Sequence, residues 1–315
     1  MGTTANTPVN TLTDEDRTGV LRALDTQYRT SRTRIRYRVL RHPVRLGYPT
    51  PSRLQKWKQR GVSVQAKGST PWGQQMVVTL PDDVSVSLRW NGFFEYDLSA
   101  FYLRFLRHSM TFIDVGAHVG YFSMLASRAV GPVGHVFAFE PTPSTFEVLA
   151  QNAGTECNIT PINKAVWSEA TMIELRDYGP CYSAFNSTFR ARLPESVRVD
   201  LTERTHSVPA VRLDDFVRDQ GCVPDAVKID VESAEMHVLH GMQAMLSGSR
   251  PIVSLEVGDM GVPGATRSRV LVEHVLSFDY RAFELRDGRA LPHQLREEYG
   301  YENIIFAPAE KAGQL

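Results

Sequence analysis

The chain predicts an α/β fold built on an open, mostly parallel sheet of the nucleotide-binding kind. Three observations carry this. The apolar run Thr111-Phe112-Ile113-Asp114-Val115 ends in Gly116, and Gly120 follows before a helical pattern that lasts to Val130: strand, glycine turn, helix. A second apolar run, His135 to Phe139, ends in Glu140, twenty residues after Gly120. From Thr111 onward, apolar runs alternate with helical patterns, as parallel sheets require.

The spacing of the turn selects the ligand. A dinucleotide turn is Gly-x-Gly-x-x-Gly, and its second glycine lets a pyrophosphate lie against the backbone. Counted from Gly116, that position is His118, whose side chain obstructs a pyrophosphate. Gly116-x-x-x-Gly120 suits a smaller anion at the helix start, such as the carboxylate of S-adenosylmethionine (SAM). Glu140, at the end of the second strand, is placed to accept from both ribose hydroxyls.

In chain order, residues 1–60 read as a basic helical extension. Thr13-Asp14-Glu15-Asp16 caps a helix carrying Val20, Leu21 and Leu24, and Pro43, Pro49 and Pro51 interrupt the chain beyond it. Residues 61–92 read as a β meander, with strands at 76–80 and 84–88 around a Pro81-Asp82-Asp83 hairpin turn. Residues 93–315 form the main domain and open on Phe93–Asp97 and a helix to about Arg107. Strands are expected near 111–115, 135–139, 159–166, 226–231, 251–257, 280–285 and 303–307. Helices are expected near 120–130, 143–153, 212–219, 234–247 and 266–277. Pro143 or Ser144 opens the second of these helices. Tyr178 to His206 has no clear period and suits a substrate loop.

Bulk composition narrows the class. In 315 residues, 42% apolar and 22% charged content describes a globular protein, and no apolar run is long enough to span a bilayer. The polar start, Met1 to Asp16, lacks the apolar core of a signal peptide. Cys157, Cys181 and Cys222 are spaced for neither a metal nor a disulfide framework, and a cytoplasmic location is expected. Charge is uneven: Arg29 to Arg60 holds eleven Lys and Arg with no acid, residues 1–28 carry −2, and the neutral total leaves −9 from Gly61 on. Such an arm either binds nucleic acid or docks on the acidic body. Its aromatics Tyr37, Tyr48 and Trp57 form no recognisable nucleic-acid module, so docking is the favoured reading.

A second constellation is Val227-Lys228-Ile229-Asp230-Val231-Glu232-Ser233-Ala234-Glu235, a strand ending in acids with a helix directly after it. Ligands of open α/β sheets bind beyond the carboxyl ends of the middle strands, so Asp230, Glu232 and Glu235 should share the crevice of Gly116. Acids also favour helix starts, which is an equal account of Glu235. Ser254-Leu255-Glu256-Val257 brings another acid toward the same mouth.

With these motifs in place, from Leu80 to Pro308, the sequence resembles the FkbM family of SAM-dependent methyltransferases. The resemblance is carried by Phe94-Glu95, Ile113 to Gly120, Phe139 to Pro143, Lys228 to Glu235 and Asn303-Ile304-Ile305-Phe306. Ser233 stands where the family usually has glycine, and the first sixty residues have no counterpart. The resemblance implies a class I (Rossmann-like) methyltransferase fold, a seven-stranded sheet with its last strand antiparallel. It implies a cofactor site at Glu95, Asp114, Gly116, Ala117, His118, Gly120, Tyr121, Glu140, Pro141, Val166 and Asp230. It also implies methyl transfer to a hydroxyl of a sugar, polyketide or other secondary metabolite. An alcohol must lose its proton as it attacks, so a general base is needed. The candidates are Asp230, Glu232, His118 and Glu256, with His206 and His237 as outsiders. A divalent ion on Asp230, Glu232 and Glu256 is conceivable chemistry, but three acids are thin evidence and no metal is assigned. The expected partner is a hydroxylated small molecule, with no membrane and no nucleic acid; a homodimer stays open. The alternatives are an RNA methyltransferase, an N-methyltransferase of a small molecule, or a SAM-binding protein without turnover.

Overall fold

The computed structural model describes residues 12–33, 47–190, 203–259 and 261–315. Its first element is the helix Asp14–Ser31. The Thr13 hydroxyl accepts from the Asp16 N–H, and the Asp16 carboxylate accepts from the Thr13 N–H, the reciprocal cap that the local sequence led us to expect. Val20 and Leu24 are buried, and the covered Arg17 donates to the carbonyls of Leu103 and Ala129. This helix therefore packs on the body of the chain. Tyr37 and Pro43 of the basic arm lie outside the described residues. The helix Pro51–Gln59 is capped by Thr50, and its Lys58 pairs with Asp83 at 2.6 Å.

Residues 61–92 correct the expected meander. β1 (Val64–Ser69) and β2 (Gln75–Leu80) pair antiparallel, so the hairpin lies one strand earlier than the alternation suggested. Asp83–Asn91 is a helix, although Val84-Ser85-Val86-Ser87-Leu88 alternates as a strand would. Capping decides it. Asp82 Oδ1 accepts from the Ser85 N–H at 3.0 Å, and Gly92 closes the helix at φ +83°. Pro81-Asp82-Asp83 is thus a helix start.

The remaining strands are β3 (Thr111–Val115), β4 (His135–Phe139), β5 (Ile159–Ile162), β6 (Ala165–Val166), β7 (Thr171–Asp177), β8 (Arg204–Val211), β9 (Ala226–Ile229), β10 (Ile252–Val257), β11 (Tyr280–Arg286), β12 (Arg289–Pro292) and β13 (Glu302–Pro308). Eight of them form one sheet in the order β12-β11-β13-β10-β9-β3-β4-β5. β13 is antiparallel to both neighbours, while β10, β9, β3, β4 and β5 run parallel. This is the class I methyltransferase arrangement with its antiparallel final strand. The expected count of seven becomes eight because β12 adds a hairpin edge to β11. Apolar clusters cover both faces. Leu98, Tyr102, Phe122 and Leu125 belong to one, and Leu239, Met242, Leu246 and Val272 to the other.

The expected strand 159–166 is broken in two. Asn163 Nδ2 donates to the carbonyls of Glu140 and Pro141, which turns the chain, and Ala165–Val166 leaves for a separate sheet in the order β6-β8-β7. β7 and β8 fall where no strand was expected. They expose most of their polar residues and bury Leu175, Asp177, Val208 and Ala210. The helix expected at 234–247 is two, Glu235–His240 and Gln243–Ser247. A Cβ on Gly241 would stand 2.1 Å from the Trp167 carbonyl oxygen, so the chain approaches too closely there for a side chain.

Leu24 is fully buried, and Leu24→Ala should lower the unfolding free energy by about 2–4 kcal/mol in urea titrations. An unchanged midpoint would mean that this helix does not dock.

Candidate active site

Strand order reverses between β3 and β9, and the crevice opens there, beyond their carboxyl ends. Gly116 has φ +78°, and a Cβ on it would lie 1.8 Å from the Asp230 carbonyl oxygen. No other residue permits this contact between the two strand ends. Gly120, at φ +89°, caps the helix Tyr121–Val130 and offers its first turn no side-chain acceptor. The backbone donors of that turn are therefore suited to an anion.

Glu140 is buried, with Oε2 accepting from the His118 N–H at 3.0 Å and Oε1 from the Thr142 N–H at 2.9 Å. Burial raises its pKa, while His118 and Thr142 oppose the rise. Each carboxylate oxygen keeps a second lone pair, so the acid is oriented without being used up. This fits the ribose diol of the cofactor.

Lys228 is almost fully buried on β9. Its Nζ lies 3.2 Å from Asp230 Oδ2 and 3.6 Å from Asp114 Oδ1. Burial alone would lower its pKa, but Asp230, Asp114 and Glu95 outweigh it and the net direction is up. Asp114 also accepts from Ser123 Oγ at 2.6 Å, and burial raises its pKa. Glu95, at φ +40°, accepts from Asn303 Nδ2 at 2.9 Å through Oε1, while Oε2 is enclosed with no partner among the described residues.

The carboxylates of Asp230, Glu232 and Glu256 converge, with one oxygen from each within 4.8 Å of the others. They do so by a route the alternation of a strand does not give. β9 ends at Ile229, and Glu232 and Ser233 take positive φ, +50° and +83°, in a turn before the helix at Glu235. Glu235 faces that turn, its Oε1 accepting from the Ser233 N–H at 3.0 Å, which is the helix-start role.

Of the residues expected at the site, Gly116, Ala117, His118, Tyr121, Glu140, Pro141, Val166, Asp230 and Glu232 line the cleft. Glu95, Asp114, Gly120 and Glu256 are not among the lining residues and support it from behind. His206 pairs with Asp177 at 3.0 Å, and His237 stacks on Trp167 at 3.6 Å; neither lines the cleft. Sequence reasoning missed Trp167, Lys228 and Tyr301, whereas the wall Ser183 to Thr188 lies within the stretch expected to hold a substrate loop. Lys228 was legible as a lysine inside a strand, since a buried lysine needs paired acids. The wall carries no periodic signal.

The Glu95 carboxyl is pushed up to about 7 from 4.5, by burial first and then by the charge of Asp230, with Lys228 and Asn303 opposing. Between those values the folded chain holds a proton that the unfolded chain has lost. The stability this contributes is full below about pH 4.5 and falls as pH rises to about 7. Glu95→Gln should flatten the fall between about pH 5 and about pH 8 by roughly 2–3 kcal/mol in urea titrations. Equal slopes for both proteins would refute the assignment.

The chain is similar to several known proteins. Hexuronic acid methyltransferase AglP of Haloferax volcanii is 30% identical over 149 residues, 46% of this chain and 55% of that protein. Methyltransferase 1 of Beauveria bassiana is 29% identical over 147 residues, 41% of this chain and 57% of that one. The matched stretches thus span little more than half the length of these relatives. Among solved structures, a methyltransferase FkbM from Methylobacillus flagellatus is similar with a TM-score of 0.41 at 17% identity, covering 72% of this chain and 56% of that one. Residues 114–301 match the methyltransferase FkbM domain, which is more than half of the chain. The chain belongs to the FkbM family of SAM-dependent methyltransferases.

Proposed function

We propose that this chain is an O-methyltransferase that methylates a hydroxyl of a small molecule, a sugar, polyketide or other secondary metabolite. The observation that carries the reading is the convergence of Asp230, Glu232 and Glu256 beside the glycine turn. Carboxylates there can hold and deprotonate an alcohol. The relative named as a hexuronic acid methyltransferase supports a sugar-like acceptor.

SAM, when bound, supplies a methyl group on a sulfonium whose leaving group is already good. The chain's own residues provide alignment, which supplies much of the rate in such displacements. The turn at Gly116 and the first turn after Gly120 would receive the cofactor carboxylate, and Glu140 would hold the ribose hydroxyls. Asp230 Oδ2 is pinned by Lys228, so its other oxygen is the one placed to accept the acceptor hydroxyl. Glu232 and Glu256 keep the local field negative, which favours loss of the hydroxyl proton to this carboxylate group. Trp167, Ile173, Leu175 and Phe185 give the facing side of the cleft an apolar surface that excludes water.

Glu140→Ala should weaken SAM binding by about 1–3 kcal/mol in calorimetry; unchanged affinity would remove Glu140 from the cofactor site. Incubation with SAM and a panel of hydroxylated acceptors, glucuronic acid included, should yield a product heavier by about 14 mass units, one CH₂, on an oxygen. With that acceptor, Asp230→Asn should cost at least about a hundredfold in turnover while the protein stays folded, and Glu232→Gln should do the same with little change in SAM affinity. Near-normal rates in both would shift the proton transfer to another group.

A further inference from the structure

The wall of the cleft from Ser183 to Thr188 leaves the end of β7 and is tied down from outside its own sheet. Ser183 Oγ stands 2.9 Å from His118 Nε2 and 3.3 Å from Asp82 Oδ2. The Ala184 N–H donates to the same Oδ2 at 3.2 Å. Asn186 Nδ2 lies 3.4 Å from Thr142 Oγ1, and the Ser187 hydroxyl donates to the Glu232 carbonyl. Asp82 is fully buried and belongs to the helix start before Asp83–Asn91, far in sequence from His118 and from the wall it ties down.

Proton counting orders the contact. Asp82 Oδ1 already accepts from the Ser85 N–H, and Oδ2 from the Ala184 N–H, so this side chain acts as an acceptor on both oxygens. Ser183 has one hydroxyl proton. Donated to Asp82, it leaves only a lone pair for His118, so His118 Nε2 must carry hydrogen. His118 Nδ1 then keeps a lone pair. That atom is enclosed and has no partner among the described residues, and an enclosed acceptor without a partner is more readily tolerated than an enclosed donor.

We infer that Asp82 and Ser183 are positioning residues that fix His118 as its Nε2–H tautomer and thereby lock the cofactor turn to the acceptor-side wall. The same His118 donates its backbone N–H to Glu140, so one residue joins the ribose acid, the glycine turn and the wall. Its imidazole is consumed by this bracing, with Nε2 engaged and Nδ1 covered, which leaves deprotonation of the acceptor to the carboxylates. The wall of the cleft and the cofactor turn are therefore held as one unit. The inference rests on reading the cleft as the methyl-transfer site.

The test uses the full chain labelled with ¹⁵N-histidine. Nitrogen chemical shifts, read without SAM and above the histidine titration range, should show His118 as Nε2–H. Ser183→Ala should release this preference and speed amide exchange across residues 182–188 by about tenfold, the effect of one lost hydrogen bond. Ser183→Thr, which keeps the hydroxyl, should restore both. Asp82→Asn keeps the helix cap through its one carbonyl oxygen but turns an NH₂ toward the Ala184 N–H, so it should give the same two changes together with a lower melting temperature, whereas Ser183→Ala leaves the cap untouched. SAM affinity in Ser183→Ala should stay within about threefold of the parent, because the backbone bond to Glu140 does not involve Ser183. An Nδ1–H tautomer in the parent chain, or His118 signals and exchange that do not move in Ser183→Ala and Asp82→Asn, would overturn the inference. Because the tautomer is read without SAM, a chain that fails to bind SAM sinks the proposed function and leaves this result standing.

Discussion

The buried ammonium of Lys228 is the constraint on which the rest of the site depends. A lysine with 2% of its surface exposed survives only if carboxylates surround it. Asp114 comes from β3, Asp230 from the end of β9, and Glu95 from the residue before the helix Tyr96–Phe105. Three separate stretches of chain are thus obliged to meet at the point where strand order reverses. Removing the lysine would leave the fully buried Asp114 without its cation, a loss of about 3–5 kcal/mol for such a broken pair. The network is therefore poor material for drift, and the position of Asp230 follows from it.

The close approach of Gly116 to the Asp230 carbonyl follows in turn. β3 and β9 run side by side, Phe112 beside Ala226 through Val115 beside Ile229, and both chains turn away at once. With no Cβ at Gly116 the two exits can touch. One exit then carries the glycine turn and the other the acids, so the two are held side by side.

Much of this was legible in the sequence because the relevant signals are local. The strand–turn–helix at 111–130, the acid at Glu140 and the strand ending at Asp230 each declare themselves within a dozen residues. What escaped depends on contacts distant in sequence. Asp83–Asn91 alternates like a strand, and the cap at Asp82 with the stop at Gly92 outweighs the alternation. β7 and β8 are too polar to read as strands, and they become strands only by pairing with each other across the intervening loop. The wall at Ser183 has no pattern of its own, since its shape comes from Asp82, a hundred residues earlier. Glu95 was readable as a motif acid, but not as the buried acid that Asn303 holds near Lys228.

The departure from the family pattern at Ser233 bears on how the acids converge. A serine at φ +83°, directly after Glu232 at φ +50°, places two non-glycine residues in the left-handed region, a strain of about 1–3 kcal/mol each. Such a turn persists only where its surroundings hold it. Here the Ser233 N–H is taken by the Glu235 carboxylate, and the Glu232 carbonyl accepts from the Ser187 hydroxyl. Both ties act on the backbone, so they are indifferent to the side chain at 233, and the serine is carried by bonds that a glycine would also use. The turn matters because an extended continuation of β9 would carry Glu232 onward along the strand direction. Folding back instead brings its carboxylate beside Asp230 and Glu256. The strain in two residues is thus the local cost of gathering three acids, two of which line the cleft, and the cleft wall, through Ser187, is part of what holds the turn.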